Sequence, residues 1–223
     1  MSIVDLAQQI KEKGQTSVTE LPGLLQEAEK LANDGTQDVL TRGLAHRAVG
    51  NAHQLLNQFL PALDSYNASA ALLETLDEPT ELGRTLHAKV GMLFSLSRFD
   101  ELFECSARAR HLFEQVSDRK RLARLDVNLA HANHRLGRHR EALECSERAL
   151  QILEELNDRE GIVAASINSA VTLTAMHEFE RAGDRYRTAL RLASELNLSS
   201  WILLSRYNLA YLRYLGGDAA AAL

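Results

Sequence analysis

The stretch GRHREALECSERALQIL, residues 137–153, decides the fold because it recurs along the chain at a fixed spacing. Three other stretches align with it without a gap: NQFLPALDSYNASAALL at 57–73, SRFDELFECSARARHLF at 97–113 and HEFERAGDRYRTALRLA at 177–193. A further copy begins with GGDAAAAL at 216–223. The starts at positions 57, 97, 137 and 177 define a 40-residue period. A fixed period of this length indicates a repeat array, in which each repeat is one supersecondary unit.

Three positions of the 40-residue period hold mostly small side chains. The first position holds Ala62, Leu102, Ala142, Ala182 and Ala222, the second Ser69, Ala109, Ala149 and Ala189, and the third Gly50, Val90, Ala130, Ala170 and Ala210. Small residues let helix backbones approach closely, so three such positions per repeat predict antiparallel helix pairs that pack on one another. The predicted fold class is therefore all-α. Phenylalanines at Phe59, Phe99 and Phe179 mark the predicted start of the second helix of a pair.

The repeat resembles a known family. Leu129 and Ala130 near the middle of the first helix, Gly137 at the turn and Glu141–Leu143 at the start of the second helix resemble the tetratricopeptide repeat. The resemblance implies a right-handed α–α superhelix of antiparallel helix pairs. The period here is longer than the commoner one of about 34 residues, which implies longer helices. The alternative is another kind of helical-hairpin solenoid.

The resemblance also divides the chain. Residues 1–42 fit the pattern less well, and two amphipathic stretches there predict a degenerate helical hairpin that caps the stack. The repeats are predicted at 43–82, 83–122, 123–162, 163–202 and, cut short, 203–223. Because the fifth copy stops inside its second helix, we expect the sequence to be part of a longer protein.

Composition excludes several classes of function. The 223 residues are 45% hydrophobic, with a net charge of −5, which argues against general nucleic-acid binding. No apolar run approaches the roughly 20 residues that span a bilayer, and the N-terminal segment lacks the features of a secretion signal. We therefore expect a cytoplasmic protein without a membrane partner.

Residues with catalytic or metal-binding chemistry are few. Cys105 and Cys145 occupy the same position in successive repeats, roughly 10 Å apart, which exceeds the ~7 Å limit for a disulfide. We interpret both as small buried thiols and not as nucleophiles. His131 and His134 share a helix face, but no carboxylate or cysteine on that face completes a metal site. No cofactor or metal is expected, and this chain is not predicted to be an enzyme.

Three longer stretches suggest a more specific relationship. Residues 121–165, 167–182 and 205–223 resemble the N-terminal repeat arrays of bacterial CHAT proteins, in which tetratricopeptide repeats precede a caspase-like domain. The resemblance implies that this chain is the recognition or regulatory arm of a cysteine protease. It also implies an intramolecular contact with a C-terminal domain that is absent here.

The repeat register identifies a candidate binding groove. In superhelices of this type the first helix of each pair faces the concave groove, and one position of that helix holds Asn128, Asn168 and Asn208. Asparagine is a mediocre helix former, so its recurrence requires a reason. The amide offers both a donor and an acceptor, and an asparagine ladder can hold the backbone of an extended peptide. The alternative is that these amides bond to the neighbouring helix and only fix repeat packing.

One turn on either side of the ladder, the predicted groove changes its chemistry along the array. The third repeat offers the basic residues Arg124, His131 and Arg135, the fourth offers Ile167, Val171 and Thr174, and the fifth offers Tyr207, Tyr211 and Tyr214. Such a groove suits a peptide with an acidic residue at one end and apolar side chains beyond it. A solvated face for the arginines and core packing for the tyrosines are the alternatives.

Sequence alone therefore predicts a non-catalytic module that binds a peptide or protein segment in its concave groove. A small-molecule or protein sensor array of another bacterial signalling protein, a free-standing adaptor and an RNA-associated scaffold remain as alternatives. A deep pocket at the groove arginines would favour the sensor, and affinity that falls steeply with salt would favour the RNA scaffold.

Overall fold

The computed structural model describes residues 2–16 and 18–216, and within these ranges the chain is helical. The α-helices are α1 Ile3–Thr16, α2 Leu21–Asn33, α3 Val39–Leu55, α4 Phe59–Leu73, α5 Pro79–Ser95, α6 Phe99–Gln115, α7 Arg119–Arg135, α8 His139–Glu155, α9 Arg159–Ala175, α10 Phe179–Glu195 and α11 Ser199–Leu215. A short 3₁₀-helix at Val18–Glu20 joins α1 to α2. The all-α class is confirmed.

The helices form two compact units, Met1–Ser117 and Asp118–Leu223. In unit 1 the hairpins α1–α2, α3–α4 and α5–α6 follow one another, and in unit 2 the hairpins α7–α8 and α9–α10 are followed by α11. Short connections join the two helices of each hairpin, which lie against each other in antiparallel directions. The predicted antiparallel pairs are thus present in both units. In unit 1, α1 and α2 pack on each other and on α3.

Helix ends recur with the sequence period. Phe59, Phe99 and Phe179 open α4, α6 and α10, as predicted. The first helices begin at positions 39, 79, 119, 159 and 199, so each repeat division expected from the sequence lies just inside a first helix. In α3, α7 and α9 an aspartate before the division caps the helix and begins it. Asp118 and Asp158, for example, accept hydrogen bonds from the backbone N–H groups of Arg121 and Gly161.

The small residues of the repeat lie where the helices meet. Every described member of the first two positions is fully buried, from Ala62 to Ala189. At the third position, a side chain on Gly50 would collide with the buried ring of Tyr66, since a Cβ there would lie 2.5 Å from that ring. The small residues thus make room for large side chains of the facing helix, which is the packing that the sequence predicts. No described helix is long and apolar enough to cross a membrane.

Candidate functional site

A cavity of about 490 Å³ lies among the first helices of unit 2. Its walls are Val127, Asn128, His131 and His134 of α7, Ala164, Ile167, Asn168 and Val171 of α9, and Trp201 and Leu204 of α11. We call it the unit 2 cavity. Most of its lining is aliphatic or aromatic, and its few polar groups come from α7 and α9. Pockets of this size and chemistry are typical of sites for small ligands or for single side chains of a partner.

The cavity contains only part of the groove predicted from the sequence. Five predicted residues line it: Asn128, His131, Ile167, Asn168 and Val171. Seven others lie outside its lining: Arg124, Arg135, Thr174, Tyr207, Asn208, Tyr211 and Tyr214. The cavity thus brings together two of the three ladder asparagines, one of the three basic residues and two of the residues predicted for the fourth repeat.

The asparagine ladder makes bonds of its own within the array. Asn168 donates from Nδ2 to the backbone carbonyl of Val127 at 3.0 Å, which ties α9 to α7. Asn208 donates from Nδ2 to the carbonyl of Leu204 in its own helix, also at 3.0 Å. The Asn168 bond therefore joins neighbouring first helices, which is the role expected if the asparagines fix repeat packing. Its amide oxygen has no hydrogen-bond partner among the described residues.

Arg124 is paired with a buried carboxylate. Its guanidinium donates from Nε to Asp158 at 3.0 Å and approaches the same carboxylate through Nη2 at 2.9 Å. Lys120 lies 3.2 Å from the same carboxylate. Burial opposes the charge of Asp158, but Arg124, Lys120 and the Gly161 N–H together hold its pKa below the ordinary value. Arg124 therefore connects α7 to the start of α9.

The three tyrosines lie on an exposed face of α11. Tyr207 and Tyr214 are 67% and 61% exposed, and Leu203 on the same face is 72% exposed. The residue one period before Leu203 is Val163, which is fully buried in α9. The apolar face that interior helices cover is thus open on α11 within the described residues.

Two histidines give the cavity its polar edge. Thr172 donates its hydroxyl hydrogen to the carbonyl of Asn168 at 2.9 Å, so its contact of 3.3 Å with His134 Nδ1 is one in which the ring N–H donates. Partial desolvation first, and neighbouring positive groups second, lower the pKa values of His131 and His134. Both rings are therefore neutral at neutral pH and compatible with an apolar occupant.

Sequence reasoning missed the wall that α11 supplies. Trp201 and Leu204 line the cavity, together with Val127, His134 and Ala164. Leu204 stands one period after Ala164 and two periods after Arg124, so following the Arg124 position through the repeats would have found both. Trp201 follows Gly161 by one period and shares no chemistry with it; its only signal is that it is the single tryptophan of the chain.

Both cysteines are buried, as predicted, and neither forms a disulfide. The Cys105 thiol donates to the carbonyl of Leu86, and burial raises its pKa to about 11. A thiol with so high a pKa is almost entirely protonated at neutral pH and is a poor nucleophile.

Comparison with known proteins agrees with the repeat architecture. A family model described as tetratricopeptide repeat matches residues 81–155 and, in a second register, 121–195. No curated protein matches the chain.

Solved structures show the same fold at low sequence identity. A Rap protein complexed with competence and sporulation factor has a TM-score of 0.82 at 17% identity, over 99% of this chain and 60% of that one. BtubC (BKLC) from P. vanneervenii has a TM-score of 0.72 at 17% identity, over 94% and 86%. NprR in complex with its cognate peptide NprX has a TM-score of 0.71 at 14% identity, over 98% and 64%. These likenesses show a repeat array of α-helical hairpins.

Proposed function

The chain belongs to the tetratricopeptide-repeat family, and from that premise we propose that unit 2 binds a peptide or protein segment. The segment would place one apolar side chain in the unit 2 cavity. The observation that carries the proposal is the composition of the cavity, whose walls come only from first helices and are mostly apolar. Because such a fold offers a surface and not a set of reacting groups, we assign the chain to binding and not to catalysis.

An apolar side chain supplies the affinity in this arrangement. Burial of a leucine, isoleucine or phenylalanine contributes about 1.5–3 kcal/mol relative to its exposure. Ile167, Val171 and Leu204 would contact the side chain, and Trp201 would cover it from α11. The neutral histidines cost no charge burial when the cavity fills.

The asparagines supply direction and register. Asn128 and Asn168 line the cavity, and Asn208 follows one repeat later on α11. Each hydrogen bond to a peptide backbone contributes only about 0.5–1.5 kcal/mol net. The Asn168 amide can keep its bond to Val127 through Nδ2 and accept a peptide N–H through Oδ1. The packing and binding roles of this residue are therefore compatible.

Two of the structural neighbours support a peptide-type ligand. NprR was crystallised with its cognate peptide, and the Rap protein with competence and sporulation factor. The chain spans about 60% of the Rap protein and 64% of NprR, so the analogy extends to the repeat array alone.

A random dodecapeptide library panned on the purified protein tests the proposal. We expect selected peptides to share an apolar residue, and the fluorescence of Trp201 to shift when they bind, since this single tryptophan lines the cavity. Ala164→Phe fills the cavity with a ring and should weaken binding at least tenfold.

The matched control is Ala107→Phe, which places the same ring on an exposed position of α6. It should leave affinity unchanged, and thermal melting should be similar for both variants. Selected peptides that bind Ala164→Phe as tightly as the unmodified protein would contradict the proposal. Binding without any change in Trp201 emission would place the peptide elsewhere.

A small apolar molecule is the second candidate ligand, because the cavity volume falls within the ~300–1,000 Å³ of known small-molecule sites. The specific feature expected of a sensor was a pocket at the groove arginines. Arg124 instead pairs with Asp158 and stands outside the lining of this cavity. The geometry thus favours the peptide.

We further propose that binding regulates a CHAT-type protease domain in a longer cytoplasmic chain. This part rests only on the resemblance of residues 121–165, 167–182 and 205–223 to such arrays. The intact mass of the native protein, compared with 24.8 kDa for this chain, is the measurement that tests it.

A further inference from the structure

Unit 1 holds a second cavity, of about 540 Å³, in the same repeat register as the first. We call it the unit 1 cavity. Like the unit 2 cavity, it lies among three consecutive first helices, here α1, α3 and α5. Helix α3 contributes four residues to this cavity, and α9 contributes four to the unit 2 cavity. Each α3 residue stands 120 residues, or three periods, before its α9 counterpart. The α3 residues are Leu44, Arg47, Ala48 and Asn51. The fold thus forms the same site twice.

The chemistry of the two sites differs. In the unit 1 cavity the asparagine-ladder positions hold Ala48 and Ala88, so no ladder is present on these two helices. Charged side chains also replace apolar ones in the lining: Arg47 occupies the position that Ile167 has in α9. The same ligand is therefore not expected in both sites.

A cluster of two guanidiniums and one carboxylate dominates the unit 1 cavity. Arg47 donates from Nη2 to Glu81 Oε2 and from Nη1 to the backbone carbonyl of Glu81 at 3.0 Å. Arg84 donates from Nη1 to Glu81 Oε1 at 2.8 Å. Both oxygens of Glu81 are thus occupied, and the cluster as a whole carries one net positive charge.

The cluster is partly withdrawn from water. The side chains of Arg47 and Glu81 are 17% and 19% exposed, whereas that of Arg84, which also lines the cavity, is 42% exposed. A charge interaction in such a setting is stronger than one on an open surface. Asp5 of α1 is the other charged residue of the lining, and its carboxylate is exposed and bonded to the hydroxyl of Ser2.

We propose that the unit 1 cavity is a second binding site, and that it binds the carboxylate of a peptide against Arg84 and Arg47. The guanidinium of Arg84 matches a carboxylate in planar geometry, so a two-pronged bond forms with the N–H groups that Glu81 does not use. Because the two guanidiniums outnumber the single Glu81 carboxylate that they share, the cluster favours an anionic ligand over a cationic one. The aliphatic residues Ile3, Val4 and Leu44 give the rest of the peptide an apolar contact.

The carboxylate can belong to an acidic side chain or to a peptide C-terminus, and three random dodecapeptide pools distinguish these sources. The first is acetylated and amidated and contains glutamate, the second replaces every glutamate by glutamine, and the third is the glutamine pool with a free C-terminal carboxylate. Fluorescence anisotropy of the labelled pools gives their affinities for the full chain. We expect the first or third pool to bind at least fivefold more tightly than the second, and to weaken with added salt.

Arg84→Gln locates the site, because it removes the exposed guanidinium and leaves the Arg47–Glu81 pair in place. It should abolish the advantage of the carboxylate pools. Arg98→Gln is the matched control: Arg98 is 44% exposed and forms the same kind of pair one helical turn away with Glu101, outside the cavity lining. Asp5→Asn should tighten binding of the carboxylate pools, since it removes the opposing charge.

The proposals for the two cavities can be tested independently of each other. Ala164→Phe, which fills the unit 2 cavity, should leave the carboxylate advantage unchanged. Equal binding of all three pools, or an advantage that survives Arg84→Gln, would overturn the inference about unit 1 and leave the proposal for unit 2 untouched.

Discussion

Single residues at the helix ends adopt a backbone conformation that only glycine accepts without cost. Asn57, Ser97, Ser117, Asn157, His177 and Asn197 have positive φ angles, as does Gly137. Each follows the last residues of a helix. After all of them except Ser117, the next N–H bonds back over the final turn, as Arg98 does to the carbonyl of Leu93 at 2.9 Å. A left-handed conformation costs a residue with a Cβ roughly 1–2 kcal/mol.

Exchange of Ser97 and Gly137 tests this cost, because the two stand at the same position of consecutive repeats. Ser97→Gly should raise the free energy of unfolding by about 0.5–1 kcal/mol, and Gly137→Ser should lower it by a similar amount. Urea unfolding followed by circular dichroism measures both. A change of the same sign in the two variants would contradict the explanation, since the side chains differ only in exposed atoms.

At the scale of elements, Asp158 both caps the N-terminus of α9 and connects α9 to α7. Asp158 accepts a hydrogen bond from the Gly161 N–H at the start of α9 and pairs with Arg124 of α7. Because its pKa is lowered in the folded protein, its ionised form stabilises the fold at pH values above about 4. That contribution is lost as the pH falls through the folded pKa.

Asp158→Asn separates the charge from the cap, since asparagine also caps helices well. We expect a loss of about 1.5–3 kcal/mol at pH 7, the usual range for a hydrogen bond to a charged group, and a difference that disappears towards pH 2. Asp118→Asn is the control, because Asp118 caps α7 and pairs within its own helix with Arg121; that pair contributes at most ~0.5 kcal/mol. Chemical denaturation across this pH range measures both variants. A pH-independent loss in Asp158→Asn would contradict the role of its charge.

At the scale of elements, the sequence predicts the helices well and their charged contacts poorly. Small residues that recur with each period predict the hairpins because close packing leaves a direct mark on composition. The pairing of Arg124 with Asp158, or of Arg47 with Glu81, spans 34 residues. Helix periodicity identifies only neighbours within one helical turn. The sequence therefore predicts Arg124 as a groove residue and does not reveal its pairing with Asp158.

At the scale of the whole molecule, stability follows from contacts between neighbouring helices. The helix pairs that contact one another within each unit are next to each other in the chain, or separated by a single helix. Helix α9 is buried along most of its length, whereas α11 buries only Ser205 and Leu212 among its described residues. In such arrays stability is a sum of repeat and neighbour contributions.

Amide hydrogen exchange followed by mass spectrometry should therefore find α11 less protected than α9. We expect exchange in α11 to be at least tenfold faster, because the open face around Tyr207 and Leu203 lacks the cover that α9 has. Equal protection of the two helices would show that unit 2 opens as a single cooperative body.

The position of the candidate sites could be predicted only in part. The repeat register places Ile167, Asn168 and Val171 on one face, and the structure brings them to one cavity. The third wall depends on Trp201, whose equivalents in other repeats have unrelated chemistry, and on Leu204, whose position holds leucine at 44 but arginine at 84 and 124. The sequence does not predict the unit 1 cavity because alanines at 48 and 88 replace the asparagines that mark the groove elsewhere.

The shared register of the two cavities has a consequence for how such a protein can change. Each cavity wall is one helix, and from α3 onwards the wall helices begin 40 residues apart, so that one 40-residue segment supplies one wall. Duplication of a single segment adds a wall without shifting any other, and a substitution at one wall position alters the ligand while the packing positions stay as they are. Recognition can therefore evolve one wall at a time, with the scaffold inherited unchanged.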